Sequence, residues 1–303
     1  MWFKNLTIFT LDEPLSDSAE DLHEALAGQR FRPCPPHEPQ TQGWAAPLGR
    51  NFDQLTHGSG PFTLMKLTRE ERLLPASVLR EQVAERVEAI EDKEGRKVSR
   101  REQKEIRENL ENELLPRAFT RRQSTTGYFD TRNQWLIVGN ATDRRIQEFT
   151  TLLRNTLGSL PIKPLRVAED PAIMMTDWLM NGTKPGGFTI EDECVLRDAD
   201  DPKNVARLRQ QDLGSDEVRT HLEAGKLVSE LGLSWNDRVR FVLGDDLRIR
   251  RLRFLDTVEE ELEDTATDTP EQQLDARFTL MALELEQLIP ALAEAFGGPE
   301  KTN

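Results

Sequence analysis

Apolar positions recur along this 303-residue chain with two different periods, and the changes of period mark out its elements. Lys4 to Leu11 reads as a strand. The helix that follows has Leu22, Ala25 and Leu26 on one side, Ser16 or Asp17 as its cap and Gly28 as its end. From Arg32 to Gly60, prolines and glycines predict an irregular stretch, with a strand resuming at Phe62 to Leu67. Between Pro75 and Pro116 the period turns helical. Leu79, Val83, Val87 and Ile90 form one narrow stripe and Ile106, Leu110 and Leu114 another, with Gly95 between them and Ser99 and Glu102 as a capping box. A seam this narrow buries one side of each helix, so the pair is expected to project from the body as a hairpin tip.

Further on, Ser124–Asp130 and Gln134–Gly139 read as two strands joined at Thr131–Asn133. A helix follows, with Ile146, Phe149, Leu153 and Leu157 on its face, Asn140 or Thr142 near its start and Gly158 at its end, and Pro161–Val167 reads as a returning strand. A short helix around Thr176–Met180 precedes a boundary turn at Pro185-Gly186-Gly187. Lys226–Leu233, Arg238–Leu243 and Leu247–Leu255 form an expected antiparallel meander, turning at Asn236-Asp237 and Gly244-Asp245-Asp246. Asp256 to Asp275 holds nine acidic residues and no basic one, which predicts a solvated connection. Thr269, Pro270 and Gln272 then open a long helix with Leu274, Phe278, Met281, Leu285, Leu288 and Leu292 as its stripe, and Pro290 is expected to kink it. The fold class is α+β, with two domains of mixed character. Residues 1–75 and 117–170 form a central domain, 76–116 the inserted helical-hairpin tip, and 171–303 a second domain with the meander and the C-terminal helix.

Charge adds a constraint that pattern alone does not. A net charge of −14 excludes a protein that coats nucleic acid with its whole surface, so any basic site is local. Two stretches run against this balance. Lys93–Arg132 carries eleven cationic and seven anionic residues, and Arg238–Arg253 carries six arginines against Asp245 and Asp246. Arg248 and Arg250 are expected to share a sheet face with Leu252 and Phe254. Such arginine rows either track a phosphate backbone or pair with the acidic stretch just downstream, and composition leaves both open.

Catalytic chemistry is harder to find. His23, His37, His57 and His221 share no ligand spacing, and no P-loop, dinucleotide fingerprint or nucleophile elbow occurs. A metal-dependent nuclease would need converging carboxylates; Asp212, Glu223, Lys226, Asp245 and Asp246 supply the types, but Glu223 and Lys226 stand as E-x-x-K rather than E-x-K. No catalytic residue, metal or cofactor is therefore assigned. Cys34 and Cys194 read as free thiols of a reducing cytoplasm, and neither a signal peptide nor a membrane span is expected.

The run Leu114-Leu115-Pro116-Arg117-Ala118-Phe119 carries a resemblance. With Trp2-Phe3-Lys4-Asn5-Leu6, Gly43-Trp44, Leu55-Thr56-His57, Leu157-Gly158-Ser159-Leu160-Pro161, Gln211-Asp212-Leu213 and Glu223-Ala224-Gly225-Lys226, the chain resembles the bacterial recombination-associated protein RdgC family over nearly its whole length. That resemblance implies a non-enzymatic homodimer that closes as a ring around DNA, double-stranded and also single-stranded, with little sequence preference. It also implies antagonism of the RecA recombinase by occupying DNA, in the cytoplasm at the nucleoid. By the same resemblance Phe119 stands at a dimer contact beside Arg117, and Gln211 and Lys226 face the hole. Gln210 replaces a lysine common in relatives, which shifts charge to Arg207 or Arg209. The expected DNA contacts are Lys226, Gln211, Arg117, Arg121, Arg122, Arg207, Arg209, Arg238, Arg240, Arg248 and Arg250, and the expected dimer contacts are Phe119, Leu79 and Val83. The other readings are a metal-dependent DNA nuclease or phosphodiesterase and a non-DNA adaptor.

Overall fold

The first strand, β1 (Thr7–Leu11), is hydrogen-bonded along both edges and therefore lies inside a sheet. The computed structural model describes residues 2–14, 18–183, 185–201, 203–263 and 269–300. After β1 come α1 (Ala19–Ala27), β2 (Gln40–Ala45), β3 (Thr56–Ser59) and β4 (Phe62–Arg72). Ser18 caps α1, accepting from Asp21 N while the Asp21 carboxylate accepts from Ser18 N. The expected caps Ser16 and Asp17 lie outside the described residues. The stretch expected to be irregular, Arg32–Gly60, contains β2 and β3, which pair one after the other along the same side of β4. Both are edge strands with one hydrogen-bonded side, which tolerates their proline- and glycine-rich flanks.

Helices α2 (Ala76–Glu94) and α3 (Arg100–Leu114) follow the sequence closely: Gly95 ends the first in a left-handed conformation at φ 64°, and Ser99 with Glu102 caps the second. In sequence they lie between β4 and β5 (Thr120–Asp130), which pair directly from Phe62 with Asp130 to Arg72 with Thr120. Strand β6 (Trp135–Val138), helix α4 (Asp143–Leu157) and strand β7 (Ile162–Pro164) complete an antiparallel sheet of order β2-β4-β5-β6-β1-β7, with β3 also on β4. Leu22 and Leu26 of α1 and Ile146, Phe149 and Leu153 of α4 cover one face of it, against Trp44, Met65, Leu67 and Phe129.

Helix α5 (Pro171–Asn181) is longer than the expected Thr176–Met180, because Asp170 caps it and Pro171 opens it. Strands β8 (Phe188–Asp198) and β9 (Val205–Arg209) and helix α6 (Asp216–Glu223) precede the meander of β10 (Lys226–Trp235), β11 (Val239–Gly244) and β12 (Ile249–Phe254). The expected meander is present and is extended by β8 and β9 into a five-stranded antiparallel sheet, β12-β11-β10-β8-β9. Asn236 and Asp237, at φ 49° and 52°, form the two-residue turn between β10 and β11. Helix α7 (Asp256–Glu263) corrects the expectation of a solvated connection over Asp256–Asp275: Val258 is fully buried and Glu261 pairs with Arg238. Residues 264–268 of that stretch lie outside the described residues. Helix α8 (Pro270–Ala295) opens with the expected Thr269 capping box and is continuous through Pro290.

Helix α8 joins the two sheets. Phe278 meets Tyr128 of the first sheet edge-on at 5.5 Å, Phe3 N donates to Met281 Sδ, and Glu284 pairs with Arg238 at the start of β11. One apolar cluster runs from Phe3, Leu6 and Phe62 through Phe278 and Leu285 to Leu233 and Phe241. It crosses the boundary expected between residues 170 and 171. The N-terminal segment adds a second junction: Leu6 and Ile249 exchange backbone hydrogen bonds of 2.8 and 3.1 Å, and Trp2 stacks on Phe254 at 4.3 Å.

Candidate nucleic-acid interface

The second sheet carries its charge on an irregularity. Between the pairs Leu231–Cys194 and Leu233–Ile190, β10 advances past Gly232 alone while β8 advances past Glu191, Asp192 and Glu193. Three acidic residues in a row therefore bulge from β8 over the sheet. Only glycine fits opposite them, since a Cβ at Gly232 would stand 2.8 Å from Glu193 Cγ and 3.1 Å from its carbonyl oxygen.

Arginines from three other strands converge on this bulge. Arg240 of β11 reaches Asp192 at 2.5 Å and Glu191 at 3.2 Å. Arg251 of β12 reaches Glu193 at 2.6 Å, and Arg209 of β9 approaches the same carboxylate at 4.0 Å. Together with exposed Arg253 they line an open concavity of about 470 Å³. Arg253, and exposed Arg207 on β9, make no ion pair among the described residues. Gln210 lines the concavity in a left-handed conformation at φ 53°, and Gln211 N donates to Asp192 O. A gathering of guanidinium groups whose carboxylate partners sit on one bulge is able to bind phosphate, because a phosphate oxygen satisfies the same fork of donors.

Of the residues expected from sequence, Arg209 and Arg240 come together here, while Gln211 touches the bulge through its backbone N–H alone and turns its side-chain amide to Glu217 at 2.7 Å. Arg251 and Arg253, counted in the basic cluster but not selected, belong with them. The left-handed φ of 53° at Arg251 interrupts the alternation along β12: Ile249 is buried as well as Leu252 and Phe254, Arg251 and Arg253 are exposed, and Arg248 and Arg250 are half-buried. Arg248 instead joins the sheets through Asp143 at 2.5 Å and Ala141 O, and Arg250 pairs with Asp246 at 2.8 Å. Arg238 donates to Glu261 and Glu284, and these carboxylates push its guanidinium still further above the usual arginine range. These arginines pair with acids close by rather than with the long acidic stretch downstream, from which only Glu261 among the described residues takes an arginine of this cluster.

Lys226 lies away from this concavity. It does start a strand just after Gly225, but its side chain does not stand free in solvent: the residue is 7% exposed and Nζ donates to the Asn204 backbone oxygen at 3.2 Å and to Asn204 Oδ1 at 2.5 Å. It pairs in register with Asp198, at the end of β8 away from the bulge. Arg122 pairs with Glu70 at 2.5 Å and lies over the Phe31 ring, Arg121 pairs with Glu71, and exposed Arg117 has no ion pair among the described residues.

The residues expected at a dimer contact differ in exposure. Phe119 is 85% exposed directly before β5, and its carbonyl accepts from Leu73 N at 2.7 Å. Exposed Leu73 and Val78 accompany it at the base of the helical pair. Leu79, expected at an interface, is buried within the chain, and Val83 is half-buried.

Among the described residues, no group of three or more His, Cys, Asp or Glu side chains is placed to hold a metal ion. Asp212 instead accepts from Gly214 N, and Asp246 is bound to Arg248 and Arg250. Burial pushes the Cys194 thiol up to about 12, which suppresses its thiolate. Among the described residues no helix is long and apolar enough to cross a membrane.

Comparison with known proteins places these features in a family. Residues 1–299 match the family model described as "Putative exonuclease, RdgC". The Recombination-associated protein RdgC of Aeromonas hydrophila is 39% identical over 302 residues, spanning all of both chains. That of Pseudomonas aeruginosa is 41% identical over 301 residues, covering 99% of this chain and 98% of the relative. That of Psychromonas ingrahamii is 39% identical over 300 residues, covering 99% of each. With similarity of this extent from one end to the other, the chain belongs to the RdgC family of recombination-associated proteins.

Proposed function

We propose that this protein binds DNA without reading its bases, as a homodimer closed into a ring around it, and that by occupying DNA at the nucleoid it restrains RecA-dependent recombination. The observation that carries this reading is the convergence of Arg209, Arg240, Arg251 and Arg253 on one sheet face of a chain whose net charge is −14. A cationic interior with an acidic exterior holds a duplex while repelling other polyanions. The relatives' name, recombination-associated protein, supports the same setting. Leu73, Val78 and Phe119 supply an exposed apolar patch from which a projecting hairpin would close the ring onto a second copy.

A gel shift in EDTA across a salt series tests binding, and duplexes of scrambled sequence test base readout. Affinity falling steeply with salt and varying little with sequence fits phosphate contacts, whereas a preference above about a hundredfold for one sequence rejects the reading. The family description names an exonuclease, which favours a second reading as a DNA-degrading enzyme. Incubating end-labelled DNA with Mg²⁺ or Mn²⁺ and resolving it on a denaturing gel separates the two.

A further inference from the structure

On the first sheet, the face that meets α8 is apolar at one end and polar at the other. Phe62 and Leu64 of β4 lie in the core, whereas the next positions on the same face are Lys66, Thr68 and Glu70, opposite Thr126, Ser124 and Arg122 of β5. The segment around Arg30 and Phe31 and the loop carrying Arg50 and Phe52 wall this polar end into a pocket of about 290 Å³. Four cationic side chains line it, Arg30, Arg50, Lys66 and Arg122, and among the described residues no carboxylate does.

Two of the four are already matched. Arg122 is neutralised by Glu70, and Arg30 has Asp53 at 3.7 Å. Lys66 and Arg50 have neither a hydrogen bond nor an ion pair among the described residues. Lys66 is half-buried, and burial together with the Arg50 guanidinium holds its ammonium below the ordinary lysine value. An unpaired, partly desolvated ammonium beside a second cation destabilises the empty pocket, and a dianion placed between them relieves both the desolvation and the repulsion. The remaining walls suit an aromatic ring: Phe31, already under the Arg122 guanidinium at 5.2 Å, and half-buried Phe52.

We propose that this pocket binds a nucleoside 5′-monophosphate unit, with the phosphate between Lys66 and Arg50 and the base against Phe31 and Phe52. The volume lies at the small end of ligand pockets and admits one nucleotide, not a duplex. The unit has two sources, a free nucleotide or the 5′-phosphorylated end of a DNA strand. The proposal does not rest on the arginine face of the second sheet, which belongs to a different sheet.

Calorimetric titration of the full-length protein with 5′-dAMP, deoxyadenosine and inorganic phosphate tests it, using wild type, Lys66→Met and Arg50→Ala. Binding of 5′-dAMP at least tenfold tighter than either fragment, weakened at least tenfold by both substitutions, is the expected result. Lys66→Met replaces an unpaired ammonium by an apolar chain of similar length, so its fold is retained, and a melting curve checks this. Arg50→Ala lies on an exposed loop and keeps the test valid if Lys66→Met fails to fold. Absence of 5′-dAMP binding, binding equal to that of inorganic phosphate, or binding unchanged in Arg50→Ala overturns the proposal. Short single strands with a 5′-phosphate or a 5′-hydroxyl then identify the source. Discrimination between them assigns a strand end, and binding of 5′-dAMP alone assigns a free nucleotide. Gel-shift affinity for blunt 5′-hydroxyl duplex is indifferent to this pocket, so the two readings fail separately.

Discussion

Asp192 on the β8 bulge accepts from the Arg240 guanidinium at 2.5 Å, so an acid of the protein occupies the donors that a phosphate would use. Asp192→Asn removes that competitor and leaves the guanidinium in place. We expect tighter DNA binding and a salt dependence steeper by roughly one unit of slope, since about 0.9 units accompany each neutralised phosphate. Fluorescence anisotropy over a salt series reads both quantities. An unchanged slope would place the DNA contacts away from this sheet.

Lys226 gives the opposite expectation. Its ammonium holds the Asn204 loop through two carbonyl oxygens, so Lys226→Met costs about 1.5–3 kcal/mol of stability, the range for hydrogen bonds to a charged group. The melting temperature falls while the salt slope for DNA stays within half a unit of wild type. A slope lower by a full unit, with an unchanged melting temperature, would instead make Lys226 a phosphate contact.

Phe119→Ala separates assembly from folding. An aromatic ring that is 85% exposed contributes little to the stability of one chain, so melting at low concentration is unchanged. Sedimentation velocity is expected to show a shift toward monomer, with at least a tenfold weaker dimer. A dimer that persists alongside lost DNA binding would make the ring a stacking contact.

Acid should loosen the ribbon that leads to the helical pair. Hydrogen bonding from Arg121 holds the Glu71 carboxyl below its ordinary 4.5. Burial alone would push Glu70 up, but Cys34 N and Arg122 outweigh it and leave that carboxyl lowered as well. A depressed folded-state value means that both groups stabilise the fold above the unfolded value, and that the contribution disappears as pH falls through the folded one. Melting temperature is therefore flat from pH 7 to about 5 and falls below about 4. Glu71→Gln flattens that fall, and an unaltered profile would show that the pair is too solvated to matter.

The elements legible in the sequence were those written by neighbouring residues. Ser99 with Glu102, Thr269-Pro270 with Gln272, and the Asn236-Asp237 turn each close within a few positions, so local chemistry specifies them. The β8 bulge is different: Glu191-Asp192-Glu193 resembles a polar loop until Gly232, some forty residues later, makes room for it. Arg251 was obscured because its left-handed conformation belongs to a register irregularity between β11 and β12 and not to any glycine in the chain. Helix α7 looked like solvated acid because Arg238, which neutralises Glu261, precedes it across a whole hairpin. Candidate arginines could thus be gathered from composition, but which of them stand free depended on partners set by the folded chain.

The exchange of backbone hydrogen bonds between Leu6 and Ile249 also orders events during synthesis. Strand β1 can pair with β6 once residue 138 has emerged, yet the residues leading into it stay unpaired until β12 arrives. At about 5–20 residues per second, the roughly 240 residues between them take some 12–50 s to be made. During that interval Trp2 lacks the Phe254 ring on which it stacks and Leu6 lacks its backbone partner Ile249, which makes residues 2–6 a natural foothold for a chaperone and a poor place for a substitution that blocks their late docking.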